Sequence, residues 1–393
     1  MSINNFSSGL KKRYIGLDLF RIISAIFVFM YHSTVQMHCN YGILNNASTM
    51  GAVFMTAFFM LSGFSLFLNY SDTDLSDFEN TKRFWKKRAL SILPMYFFVA
   101  ILFETRLVFL GIETIDRAVL LLPIETLGVQ SAFSSLFPYS HNGATWFISC
   151  ILICYFLYPL LQKTVLNISV KTRIILMCIS AFLIMYAPIV TNSLDNVGGI
   201  YANPFFRSLE FFIGVILASM KKDRSSDNVG SKSVSGWISV LMTFIVMFAA
   251  ITILVDMNFE VGNFMMYNWV CLPCFTLILY GFSDVSSKWL ERSRLMIFLS
   301  KQTYLFYLAQ LFADKVTNSI LNHISVSNML RILIAWAVCI SITIVFNPVE
   351  RGIKFVIKTL SETQLRSYQG LKKHNFGQLR RREGYGRRFE RKY

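Results

Sequence analysis

Charge is scarce in this sequence. Of 393 residues only 15% are Asp, Glu, Lys or Arg, where an ordinary soluble domain carries about 25%. With 54% hydrophobic residues and a mean hydropathy of +0.50, the deficit excludes a water-soluble enzyme as the class. A disulfide framework is also missing. Cys150, Cys154, Cys178, Cys271, Cys274 and Cys339 lie inside apolar runs, and Cys39 sits just after one. Cys271 and Cys274 make a CxxC, a spacing known from zinc and redox sites. It stands in WVCLPCFTLILY with no second pair nearby, which favours two small membrane-buried residues. No metal-ligand cluster, phosphate-binding glycine loop or Ser-His-Asp spacing is present. Asn46-Ala-Ser48 and Asn167-Ile-Ser169 fit a glycosylation pattern that is common by chance.

What is abundant is apolar sequence of bilayer length. A membrane span needs roughly 20 consecutive mostly apolar residues, and one soluble core would not need so many such stretches. Spans are predicted near 15–37, 51–69, 89–110, 143–161, 174–191, 204–220, 236–255, 265–282, 297–319 and 329–347. The run from Ile15 is long and carries Asp18 and Arg21, so it reads as a span and not as a cleavable signal. The expected fold class is an all-α polytopic membrane protein of about ten transmembrane helices. Lys and Arg concentrate in alternate loops, as in TKRFWKKR (81–88), while Glu113, Asp116, Glu125, Asp195, Asp256 and Glu260 lie in the others. Cytoplasmic loops hold the Lys and Arg excess, which places both termini in the cytoplasm. The piece AVLLLPIETLGV within 111–142 could also dip into the interface.

Residues 1–355 are expected to form the membrane domain and 356–393 a basic, disordered cytoplasmic tail. That tail, ending KKHNFGQLRRREGYGRRFERKY, supplies much of the +16 net charge. A nucleic-acid arm is conceivable, but beside a bilayer the simpler partner is anionic lipid.

The first span, YIGLDLFRIISAIFVFMYHS, holds Asp18, Arg21 and His32. Ionisable residues in a bilayer cost several kcal/mol on some scales and are functional candidates by default. Asp18 and Arg21 stand three apart, where helical side chains pair. Arg21 and His32 are 11 residues apart, hence on nearly one face and about 16 Å apart along the axis. The bland alternative is a surface Asp–Arg pair and a histidine satisfied inside a bundle. Glu210, inside an apolar segment, and Glu350–Arg351, at a span end, are candidates for structural ion pairs. Ser62 and Gly63 suit close helix packing.

In its D-x-x-R, ten residues, His pattern the chain resembles the membrane acyltransferase-3 family. Further motifs follow in family order: FFMLSGFSLF (58–67), KKRALSILPMYFF (86–98), NGATWFISCILICYFLYPLL (142–161), RSLEFFIGVILA (207–218), LSKQTYLFYLAQLF (299–312) and NPVERGIK (347–354). The resemblance covers roughly 13–355. Three departures stand out. Ser91 follows Arg88 where a second Arg is frequent, Gln310 replaces a frequent His, and the C-terminal extracytoplasmic esterase-like domain of many members has no counterpart. The last departure implies direct transfer to the final acceptor or a separate partner.

The resemblance implies an O-acyltransferase of the bacterial inner membrane. Its acyl-CoA donor, usually acetyl-CoA, would bind from the cytoplasm, with no bound cofactor or metal. The acceptor would be a hydroxyl of an envelope polysaccharide or lipid-linked sugar. His32 would be the catalytic base, with a covalent acyl-histidine as its variant, and Arg21, held by Asp18, would bind donor phosphate or carbonyl oxygen. Among Lys82, Arg83, Lys86, Lys87 and Arg88, the residues Arg88 and Arg83 are the candidates for CoA phosphate, against a plain topology signal. Trp146, Tyr304 and Tyr307 are candidates to line the substrate channel, against packing roles, and Gln310 to hydrogen-bond across the bundle. A flippase or transporter for lipid-linked sugars, or a non-catalytic scaffold or sensor, are the competing classes. The chain lacks the internal repeat that transporters often show.

Overall fold

A computed structural model describes residues 13–112, 114–132, 145–192, 198–225, 233–257, 267–285, 287–322 and 326–389. Among these residues there is no strand. The helices are α1 Ile15–Met37, α2 Asn45–Thr49, α3 Phe54–Tyr70, α4 Phe78–Phe109, α5 Ile115–Leu127, α6 Thr145–Asn167 and α7 Val170–Asn192. They continue with α8 Gly198–Tyr201, α9 Pro204–Ser225, α10 Ser233–Asp256, α11 Asn268–Phe282, α12 Lys288–Arg292, α13 Arg294–Leu321 and α14 Asn328–Phe389.

Each segment predicted to span is helical over most of its length. Seven helical segments are long and apolar enough to cross a membrane: Ile15–Met37, Gly51–Tyr70, Phe78–Phe109, Trp146–Asn167, Val170–Ile189, Gly236–Asp256 and Asn328–Leu360. The other three fall short for identifiable reasons. Helix α11 is only 15 residues long. Helix α9 carries Arg207 and Glu210, and α13 carries Lys301, Asp314 and Lys315. Three of these charges turn inward: Arg207, Glu210 and Asp314 are all buried.

The chain divides into two compact units, Met1–Ile344 and Val345–Tyr393. Helix α14 runs through the composition change at residue 356. Glu350 pairs with Lys354, one turn on, at 2.6 Å.

Within the larger unit α9 is a hub, packed on α3, α6 and α7. Its tightest seam is with α3. A Cβ on Gly63 would stand 2.0 Å from the Phe211 carbonyl oxygen, and one on Gly214 would stand 1.9 Å from that of Met60. The two glycines thus let the backbones touch, the packing device expected of Gly63. Helices α1 and α13 run parallel side by side. Arg13 reaches Ser300 at 3.4 Å, Phe29 meets Phe306 at 5.5 Å between ring centroids, and Asn318 donates to the Gln36 carbonyl at 2.9 Å.

Replacing Gly214 by Ala must push α3 and α9 apart, since the obstacle is backbone. The expected loss is about 3 kcal/mol, the upper end for overpacking, read as a lowered melting temperature in detergent. Gly352→Ala is the control: a Cβ there meets nothing within 4 Å, so melting should hold or rise slightly. Equal melting of wild type and Gly214→Ala would contradict the close-packed seam.

Candidate functional site

At one end of α1, Asp18 accepts from Arg13 Nε at 2.6 Å and from Arg21 Nη1 at 3.1 Å. The helical i,i+3 pairing is therefore formed, with Arg13 as a second clamp from just before the helix. Arg21 remains partly exposed and keeps donors to spare. Arg88, on α4, comes to the same place. Its guanidinium lies 5.2 Å from the Tyr70 ring centroid and 5.8 Å from those of Phe84 and Tyr155, and Nη2 donates to the Tyr70 hydroxyl at 3.2 Å. The charges of Arg88 and Arg21 both act on Tyr155, which also hydrogen-bonds Ser62. Arg88 thus lies over this phenol, and Arg21, from a different helix, is near enough for its charge to act on it. Among the described residues, Arg88 Nε and the Tyr158 hydroxyl are buried without a hydrogen-bond partner. Arg83 is exposed on α4 and is not drawn into this cluster.

Toward the other end of α1, His32 stands edge-on to Tyr31, with ring centroids 5.3 Å apart. Its Nδ1 is buried and finds no hydrogen-bond partner among the described residues. The charge that acts on it is that of Asp314 from α13. Asp314 is only 3% exposed, and it is held from two sides. Asn318 donates to its Oδ1 at 2.7 Å and Lys315 pairs with Oδ2 at 2.9 Å. Asn318 also donates to the Gln36 carbonyl, which ties this carboxylate to the last turns of α1. Gln310, Asp314 and Thr317 recur at i, i+4 and i+7 along α13, so they share a face. Gln310 is 2% exposed and Thr317 is fully buried. Neither the Gln310 amide nitrogen nor its oxygen, nor Thr317 Oγ1, nor Gln36 Oε1 has a partner among the described residues. Buried polar atoms are normally paired, and each exception calls for an explanation.

Trp146, Tyr304 and Tyr307 separate into different roles. Trp146 joins Phe59 and Tyr201 in a cage around Arg207, whose Cζ lies 5.2, 5.4 and 4.8 Å from those three rings. Within the cage Arg207 Nη1 donates to both Glu210 oxygens at 2.9 Å, Nε donates to the Tyr201 carbonyl at 2.8 Å, and Thr56 donates to Glu210 at 2.9 Å. Tyr304 donates to the Ile92 carbonyl at 2.9 Å, two residues before Pro94 in the interior of α4. Tyr307 packs on Phe147 at 5.0 Å, joining the aromatic wall on the Gln310 side of the bundle.

A cavity of about 680 Å³ lies between α4 and α5, with Tyr96, Phe97, Glu104, Thr105, Glu125 and Thr126 among its lining. Phe103, next in the chain to its lining residue Glu104, meets Phe312 of α13 at 5.7 Å. The cavity's size falls in the range of small-ligand sites.

Two residues of this site were not singled out in the sequence. Asp314 follows Gln310 by one turn, and tracing that face of α13 would have found it. Arg207 lay within a quoted motif, but its pairing with Glu210 is visible only once both are seen buried.

A family model described as an acyltransferase domain matches residues 14–347. No curated protein and no solved structure shows a significant match to the chain.

Removing one partner of the buried Arg207–Glu210 pair strands the other charge inside the bundle. Glu210→Leu should cost about 3–5 kcal/mol, seen as loss of the melting transition or of detergent-extractable protein. Adding Arg207→Leu should return part of the loss. A single variant as stable as wild type would contradict the cage.

Proposed function

Since the chain belongs to the acyltransferase-3 family, we propose that this multi-pass membrane protein transfers an acyl group from cytoplasmic acyl-CoA to a carbohydrate hydroxyl at the bacterial envelope. Acetyl is the proposed acyl group. Polysaccharide and lipid-linked sugar are the proposed acceptors, and the bacterial inner membrane is the site of action. The observation that carries the proposal is the layout along α1. The charges of Arg21 and Arg88 both act on the Tyr155 phenol at one end, and His32, on which the Asp314 charge acts, lies about 16 Å away along the axis.

The chemistry distributes over these groups as follows. Arg21, fixed by Asp18, and Arg88, stacked in its aromatic box, bind the phosphates of the donor, for which a guanidinium is well shaped. The pantetheine arm is of the same order of length as the Arg21–His32 separation, so the thioester arrives at His32. A neutral imidazole takes the acceptor's hydroxyl proton as that oxygen attacks the thioester carbonyl. The tetrahedral intermediate then expels the thiolate: the C–S bond breaks, and the imidazolium returns the proton to sulfur. The Asp314 carboxylate stabilises the transient imidazolium through space. Hydrogen bonds of such a base commonly tighten only when substrate is bound. The cavity beside Glu104 and Glu125 is the proposed acceptor site, where carboxylates would accept hydrogen bonds from sugar hydroxyls.

Both termini are proposed to be cytoplasmic, with ten spans. The basic tail is proposed to lie on anionic headgroups, where each Lys or Arg near the surface contributes about 1 kcal/mol. Membership of an acyltransferase family argues against the flippase and scaffold readings.

Membranes carrying the protein, supplied with radiolabelled acetyl-CoA, should move label into envelope carbohydrate. His32→Ala should lower the rate by about 10²–10⁴-fold, the usual contribution of a positioned base. Asp314→Asn should lower kcat more than it raises KM, and Arg21→Ala should act mainly on KM for the donor. Undiminished labelling by His32→Ala at equal protein level would remove the proposed base.

A further inference from the structure

The cluster of unpartnered polar atoms along the α1–α13 seam is the largest unexplained feature of the described residues. Gln310 stands out in it. Its side chain is a planar amide, with a donor and an acceptor side by side, 98% removed from solvent by its 2% exposure. Neither atom has a protein partner among the described residues. Leaving one such group unpaired is destabilising, and Gln310 leaves two atoms so. Leu or Met would fill the same space without that penalty.

A primary amide is matched on both atoms by another amide, which offers an N–H to its oxygen and a carbonyl to its nitrogen. The position of Gln310 says which amide. Asn318, one turn beyond Asp314, donates to the carbonyl of Gln36, one turn beyond His32, so Asp314 and His32 lie near one level of the bundle. Gln310 is one turn before Asp314 on α13, about 6 Å along the axis. Because α13 runs parallel to α1, that turn lies on the Arg21 side of His32. A donor whose thioester is at His32 and whose phosphates are at Arg21 must pass this point. In the pantetheine arm an amide follows the sulfur after two methylenes, a separation of the same order as one helical turn.

We propose that Gln310 binds the donor by pairing with the pantetheine amide nearest the thioester, thereby fixing how far the arm advances toward His32. The assignment rests on the acyl-CoA reading above. It gives the seam a specificity function: the site distinguishes a thioester built on an amide-bearing arm from other activated acyl groups.

The test compares acetyl-CoA with its analogue in which the N–H of that amide is replaced by oxygen, using the full-length protein in membranes. The analogue keeps the carbonyl and the length of the arm but leaves the Gln310 oxygen unpaired. Wild type should prefer acetyl-CoA in kcat/KM by about 5- to 100-fold. Gln310→Leu and Gln310→Met should lose most of that preference and use both donors at similar, reduced rates. A structural role for Gln310 would lower both rates and leave the ratio intact, which would overturn the proposal. A wild-type ratio near one would overturn it without any variant. Absence of transfer from either donor in wild type would overturn the acyl-CoA reading and this assignment together.

Discussion

Arg207 and Glu210 stand one turn apart on α9, both wholly buried, joined through two hydrogen bonds and closed off by Thr56, the Tyr201 carbonyl and three aromatic rings. Such a pair is weak as a source of stability, because its desolvation roughly offsets its attraction. It is strong as a constraint. Every polar atom of the pair needs its neighbour, so α9 has one permitted rotation, and the groups that complete the cage come from α3, α6 and α8. The glycine seam with α3 then follows, because only that rotation presents Gly214 to Met60 and Phe211 to Gly63. The rest of the bundle is arranged around a helix whose two charges, Arg207 and Glu210, are both buried.

The parallel pair α1 and α13 carries the proposed site on this scaffold. Its polar groups are ordered along the axis. Asp18 and Arg21 stand at one end, His32 lies farther along, and Asn318, which holds Asp314, meets Gln36 one turn beyond it. In a bilayer each group has to be paired, solvated or used. The arginines are paired or stacked and Asp314 is hydrogen-bonded. His32, Gln310 and Thr317 keep buried atoms without partners among the described residues, and these are the atoms with capacity left for a substrate.

Much of this was legible in the sequence, and the reasons differ from place to place. The helices were legible because apolar runs of bilayer length have few other uses. The Asp18–Arg21 pair was legible because it is local, three residues apart on one helix. Glu210 was recognisable as half of an ion pair, and Gly63 as a close-packing site, from residue type and surroundings alone. What depends on tertiary placement was not legible. The charges of α9 and α13 hid two features: that Arg207, Glu210 and Asp314 are buried, and that the Asp314 charge acts on His32, distant in sequence. Trp146 was a candidate for the substrate channel and stands against Arg207. Arg83 and Arg88 looked alike as members of one basic run. Five residues apart, they emerge from different faces of α4, and only Arg88 meets the aromatic box.

The central claim is that one helix carries donor binding at one membrane face and acyl transfer toward the other. Sealed vesicles with the protein in a single orientation test it most directly. Labelled acyl-CoA is added only on the side of Arg21 and Arg88, and an acceptor carbohydrate is enclosed on the side of His32. The account predicts acylated acceptor inside, with CoA released outside. Transfer that occurs only when donor and acceptor share one side would contradict it.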